Sequence, residues 1–195
     1  MKEVLQQDKD NAPALLIQAH CDLVAGRWPE SIAAARRALR LDPGLWGAYQ
    51  ILGDAYLKTG KEDLAREAYV NEAELRAGAE PAIKLGDFYF NRKEYAAAAR
   101  WYENIPSGHP TYPLSRIYLA GCYAQQKEYN RARTIYLTAA ENFPEYSQFC
   151  FFNLARISLR QGREEEARDW LDKIEDPEIR EKISSDSALS GIAGE

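Results

Sequence analysis

One motif returns along this chain at a spacing of 33 to 35 residues, and that period limits the possible folds more than any other feature. The copies read LGDAYLKTGKEDLAREAY from Leu52, LGDFYFNRKEYAAAARWY from Leu85, LAGCYAQQKEYNRARTIY from Leu119 and LARISLRQGREEEARDWL from Leu154. A weaker first copy, QAHCDLVAGRWPESIAAA, begins at Gln18, which makes five. A fixed period of this length means one supersecondary unit, stacked so that each copy buries its apolar face against the next.

Each conserved place in the motif has a physical role. A small residue recurs at Ala19, Gly53, Gly86, Ala120 and Ala155, where two helices that cross closely need little side chain. A second small series is Ser31, Ala65, Ala98, Ala132 and Ala167, followed four residues later by Tyr69, Tyr102, Tyr136 and Leu171, with Ala35 the exception. Spacings of three and four put small and large residues on one helical face. Between the halves lie short polar turns, and Gly26, Gly60 and Gly162 suit a left-handed helix end. Asp42-Pro43, Phe143-Pro144 and Asp176-Pro177 stop the second helices. No segment alternates as a strand would. The chain is therefore expected to be all-α, with helix pairs near 12–25 and 28–41, 46–59 and 62–76, 80–92 and 95–105, 112–126 and 129–142, and 146–161 and 164–174.

These residues resemble the tetratricopeptide repeat, whose pattern is W-x2-L-G-x2-Y, then A-x3-F, then P. The second copy matches most fully, with Tyr49 in the Trp place and then Leu52-Gly53, Tyr56, Ala65 and Tyr69. The first departs at Gln18 and Asp22, and the last at Ser158. The resemblance spans about residues 12 to 177 and implies a right-handed superhelical α-solenoid of five helix-turn-helix repeats. The expected divisions are repeats over 12–45, 46–78, 79–112, 113–147 and 148–177. Residues 1–11 read as the stub of a preceding helix or an N-terminal cap, and 178–195 as the start of a capping helix and a disordered tail. The ends also suit a segment of a longer repeat protein.

In this family the first helix of each pair lines a concave groove that holds a peptide or protein segment. Carried over by register, the resemblance implies three stripes. One is His20, Asp54, Asp87, Gly121 and Arg156; another is Leu23, Leu57, Phe90, Ala124 and Leu159; the third is Leu16, Gln50, Ile83, Ile117 and Phe152. Asp54 and Asp87 make the middle acidic, while Arg156 and Arg160 make the C-terminal end basic. A partner segment with apolar anchors and charges of the opposite order fits such a surface. The Lys and Asn clamp of chaperone adaptors is missing, since the matching places hold Leu16, His20 and Ile51.

Composition narrows function further. A net charge of -5 and a pI near 5.3 lack the positive field that non-specific nucleic-acid binding needs. No apolar run reaches a membrane span, and MKEVLQQDKDN lacks a signal peptide's apolar core. The compartment, cytoplasmic or periplasmic, stays open. Cys21, Cys122 and Cys150 are far apart and apart from His20 and His109, so neither a disulfide framework nor a metal site is expected. No HExxH, GxSxG, Walker or GxGxxG motif occurs, and no cofactor or catalysis is expected. The reading is a protein-binding scaffold, bacterial by its Ala, Arg and Leu content, with self-association through the terminal repeats or a non-catalytic arm of a longer enzyme as alternatives.

Overall fold

A computed structural model describes residues 11–75 and 78–192. Among these residues there are eleven α-helices and no strand: α1 (Ala12–Val24), α2 (Trp28–Leu41), α3 (Ala48–Lys58), α4 (Glu62–Leu75), α5 (Ala79–Asn91), α6 (Tyr95–Glu103), α7 (Tyr112–Gln125), α8 (Tyr129–Asn142), α9 (Ser147–Arg160), α10 (Glu164–Leu171) and α11 (Pro177–Ser185). The fold is the all-α helical repeat that the periodicity implies. The expected N-terminal stub, residues 1–10, lies outside the described residues. The chain forms two compact units, Met1–Phe88 and Tyr89–Glu195. In the first, α1 packs on α2, α2 on α3 and α3 on α4. In the second, α6 packs on α7, α7 on α8, α8 on α9, and α9 on both α10 and α11.

The crossing of the two helices in a pair rests on the small residues. Ala19, Ala65, Ala98, Ala120, Ala132, Ala155 and Ala167 are wholly buried. Opposite them, Tyr69, Tyr102 and Tyr136 are buried too. At Gly53 the approach is so close that an added Cβ would sit 2.3 Å from Cε1 of Tyr69. In the first pair the Ser31 hydroxyl donates to the Ala19 carbonyl at 2.8 Å, which satisfies a polar group at a dry crossing.

All five turns share one geometry. Gly26, Gly60 and Gly162 have φ of 75°, 71° and 72°, and Lys93 and Lys127 take the same left-handed place at 61° and 64°. In each, the next amide donates to the carbonyl five residues back, as Lys61 does to Tyr56 and Glu94 to Tyr89, both at 2.9 Å. This closes the helix end and turns the chain sharply. Helix starts are capped where side chains permit: Asn11 Oδ1 accepts from the Ala14 amide at 2.9 Å, and Asp176 Oδ1 from the amides of Glu178 and Ile179 at 2.8 and 3.1 Å.

The C-terminal segment differs from expectation. Instead of a disordered tail, α11 is followed by turns as far as Ile192, and Leu189 is fully buried. Ile179, Ile183 and Leu189 form one cluster with Phe152, Ala155, Ala167, Leu171 and Ile174. The small polar composition of SSDSALSGIAGE hid two apolar anchors, Leu189 and Ile192, spaced to meet the outer side of α9 and α10.

Two predictions test the crossing and the turns. Gly53→Ala is expected to lower unfolding free energy in urea by about 1–3 kcal/mol, because the Tyr69 ring has nowhere to move. Gly121→Ala, where the new Cβ meets its nearest atom at 3.5 Å, is expected to be neutral or stabilising. Lys93→Gly and Lys127→Gly each remove a left-handed β-carbon and are expected to stabilise by about 1 kcal/mol. That corresponds to a rise of about 2–4 °C in Tm, read by circular dichroism.

Candidate functional site

In α1, α7 and α9 the first helix presents its open face at places spaced four, three and four residues, whereas in α3 the matching place, Ile51, is buried at 8% exposure. In α1 these are Pro13, Ile17, His20 and Val24, all exposed. In α7 they are Leu114, Tyr118, Gly121 and Gln125, and in α9 Phe149, Asn153, Arg156 and Arg160. Two of the three expected stripes miss this face in part: Ala124 of the second is buried at 8% exposure, and the third is covered at two places. Ile117 and Phe152 are buried at 2% and 8% exposure. One residue is about 100° of helix rotation, so Ile117 turns inward while Tyr118 turns out. Phe152 lies in the cluster with α11. His20, Leu57 and Arg160 are exposed, whereas Leu16, Gln50, Asp54, Ile83, Asp87, Phe90 and Arg156 are half-buried. Sequence reasoning passed over Ile17, Val24, Leu114, Tyr118 and Phe149, whose shared register with Arg160 could have found them.

The acidic middle is more balanced than the sequence implies. Lys84 Nζ lies 2.8 and 3.1 Å from the Asp54 oxygens, and the Tyr69 hydroxyl donates to Asp54 Oδ1 at 2.6 Å. Asp54 therefore ties α4 and α5 to α3 and is not a bare groove charge. Burial, and then the Asp54 charge, push the Tyr69 hydroxyl far above its ordinary range, so it stays a donor. A second carboxylate escaped the sequence altogether. Glu72, on α4, is 1% exposed and accepts from the backbone amides of Gly47 and Gln50 at 2.8 and 3.3 Å. It caps the N-terminus of α3, where amides lack helical partners and the dipole favours an anion.

The second unit carries a different surface. Tyr118 stacks on Tyr102 at 5.7 Å between ring centroids, and Phe90 meets the edges of Tyr95 and Tyr118 at 5.6 and 5.4 Å. Helices α7 and α9 contain Arg116, Arg156 and Arg160 and no carboxylate. Arg156 Nε stands 3.3 Å from Asp186 Oδ2, a residue of the C-terminal segment, and the guanidinium lies over the Phe152 ring at 5.6 Å. The Glu164 to Glu166 run begins α10, and Glu166 pairs with Arg133 and, at 2.8 Å, with Arg163. Trp170 serves packing, stacked on Phe151 at 5.7 Å with Lys173 Nζ 4.1 Å from its ring centre. Among the described residues no group of three His, Cys, Asp or Glu is gathered for a metal, and no helix is long and apolar enough to cross a membrane.

Comparison with known proteins agrees with this architecture. A model of tetratricopeptide repeats matches residues 16–82, and one described as anaphase-promoting complex, cyclosome, subunit 3 matches residues 91–174. The chain is 28% identical over 174 residues to the protein CTR9 homolog of Arabidopsis thaliana, an alignment covering 85% of this chain. It spans only 16% of that relative's length. Among solved structures, YrrB, a TPR protein with an unusual peptide-binding site, aligns with a TM-score of 0.79 at 17% identity, over 97% of this chain and 94% of its own. MamA aligns at 0.75 and 20% identity, over 90% and 95%. PilW, a type IV pilus biogenesis factor, aligns at 0.65 and 16% identity, over 93% and 90%. At such identities the likeness is one of fold.

The buried thiols give this region a pH signature. Burial pushes Cys122 and Cys150 up to about 12. An unfolded thiol titrates near ~8.5, so above that pH the unfolded chain has released protons that the folded chain still holds. The contribution to stability is therefore full below about pH 8.5 and is lost as pH rises toward 12. Urea unfolding between pH 8 and pH 11 is expected to show falling stability, with a shallower fall in a Cys122→Ala/Cys150→Ala variant. Native labelling with a thiol reagent at pH 8 is expected to modify the half-buried Cys21 and spare the other two, while denaturant exposes all three free cysteines.

Proposed function

We propose that this chain, which belongs to the tetratricopeptide-repeat family, is a binding module that holds a protein segment along the open face of its first helices. Members of this family generally mediate contact between proteins and the assembly of complexes. One observation carries the finer reading. Of the exposed large apolar side chains among the described residues, Ile17, Val24, Leu57, Leu114, Tyr118 and Phe149 lie on first helices. Those on second helices are Leu41, Leu64 and Leu75. Ile17, Val24, Leu114, Tyr118 and Phe149 share the register of the open face, with Leu57 beside it, and apolar side chains left in water on a repeated face are the usual footprint of a partner. Within the second unit the face mixes Leu114, Tyr118 and Phe149 with Arg156 and Arg160, which gives a bound segment register and direction.

The expected chemistry is recognition without turnover. The ionisable groups with the most shifted protonation, Tyr69, Tyr136, Cys122 and Cys150, are buried where helices cross, and their large shifts follow from packing. YrrB, with its peptide-binding site, supports a peptide as the form of ligand. The bacterial setting rests on composition alone, and the partner's chemistry is the better guide.

The test is capture from native lysate with three proteins. These are the wild-type chain, a first-helix variant Leu57→Asp/Leu114→Asp/Phe149→Asp, and a second-helix variant Leu41→Asp/Leu64→Asp/Leu75→Asp. Proteins retained by the wild type and the second-helix variant, and lost from the first-helix variant at unchanged helical circular dichroism, are the expected result. Retention that follows the second-helix variant instead would overturn this reading.

A further inference from the structure

Two repeats of the same register handle one polar group in opposite ways. In the second repeat the Tyr69 hydroxyl reaches the open face of α3 and finds Asp54, whose carboxylate it donates to at 2.6 Å. Sixty-seven residues on, in the fourth repeat, Tyr136 stands for Tyr69 and Gly121 stands for Asp54. The Tyr136 hydroxyl comes to the same place: it lies 3.5 Å from where a Cβ on Gly121 would sit. No side chain fills that position. Tyr136 is 2% exposed, and its hydroxyl has no hydrogen-bond partner among the described residues. A phenol donor buried at its root and facing a vacant notch has an acceptor to gain.

The rest of the notch indicates which acceptor. Phe90 Cε2 is 3.8 Å from the same Cβ position, so one wall is apolar. After burial and the Cys150 and Cys122 thiols, the Arg156 charge also acts on the Tyr136 hydroxyl, and it is the one influence there that favours negative charge. Helices α7 and α9 contain no acidic side chain to compete for it. Arg156 already takes one carboxylate, Asp186 at 3.3 Å from the chain's own C-terminal segment. Burial also raises the Tyr136 hydroxyl above its ordinary range, so it remains a donor at every physiological pH. A donor, a cation that acts on it and an apolar wall favour an anion.

We infer that the notch between Tyr118, Gly121, Tyr136 and Arg156 is a specificity pocket for an Asp or Glu side chain of the bound protein segment, which supplies from outside the carboxylate that Asp54 supplies from within. This rests on the proposed protein-binding role of the first-helix face. A charge-assisted hydrogen bond in a desolvated site contributes roughly a tenfold preference over a neutral amide.

The test uses fluorescein-labelled, C-terminally amidated nonapeptide pools with Leu or Phe fixed two places either side of a central residue, which is Asp, Glu, Gln or Lys. Binding is read by fluorescence anisotropy against the wild-type chain and the variants Tyr136→Phe, Arg156→Gln and Gly121→Asp, each first checked for unchanged helical signal. The wild type is expected to bind the better of the Asp and Glu pools about tenfold more tightly than the Gln pool. Tyr136→Phe and Gly121→Asp, which remove the donor and fill the notch in cis, are expected to lose that preference while keeping their affinity for the Gln pool. Equal binding of the acidic and Gln pools by the wild type, or an acidic preference that survives both variants, overturns the pocket and leaves the protein-binding reading standing. Absence of binding to every pool overturns the pocket; if lysate capture also finds no partner dependent on the first helices, the wider reading falls with it. Free N-acetylglutamate amide serves as competitor. At millimolar concentration it is expected to weaken binding of the acidic pools to the level of the Gln pool and to leave the Gln pool's binding unchanged.

Discussion

The contact on which the rest of this structure depends is a large ring laid over a small residue where two helices cross. Tyr69 covers Gly53 so closely that even a methyl group is excluded. The same small places recur through the chain as wholly buried alanines. Dispersion falls steeply with distance, so close approach along the whole crossing is what makes a short helix pair stable. It also sets how each first helix is rolled about its axis, and therefore which side chains face outward. The outward face is a consequence of the crossing and not an independent feature.

The tyrosine that performs this packing also carries a hydroxyl, and each repeat must satisfy it or leave it reachable. In the second repeat the answer is internal, with Asp54 and Lys84 completing a tie between helices. In the fourth the acceptor is absent because Gly121 holds the place. One packing residue is thus a lock in one repeat and a hydroxyl without an acceptor in another, according to the side chain opposite. The charges follow the same logic. Carboxylates in the first unit are consumed by structure, Glu72 at a helix start and Asp54 at a crossing, while the arginines of α9 remain on the face.

Much of this was legible in advance. The period, the two small-residue series and the Pro and Gly stops placed every helix pair, because each of these signals is local and repeats. The open face was legible only in part. A stripe through Ile117 and Phe152 satisfies the spacing rule as well as one through Leu114 and Phe149, and only the neighbours decide which is covered. The pairing of Asp54 with Lys84 joins residues thirty apart in sequence, and that of Arg156 with Asp186 another thirty, and no short-range pattern announces either. The last segment misled for a different reason: two apolar residues among many small polar ones are enough to bury a chain when an apolar surface already waits beside them.

Sequence alone determined the repeat, the helix pairs, their turns and the absence of a broad positive charge, since these depend on residue type and spacing within about 35 positions. Tertiary structure decided the rotation of each first helix, the residues left in water, the carboxylates consumed by capping and crosslinking, and the tyrosine hydroxyl left without an acceptor. Those outcomes are set by which surfaces meet across a crossing, where a displacement of one residue turns a side chain through about 100° and exchanges inside for outside.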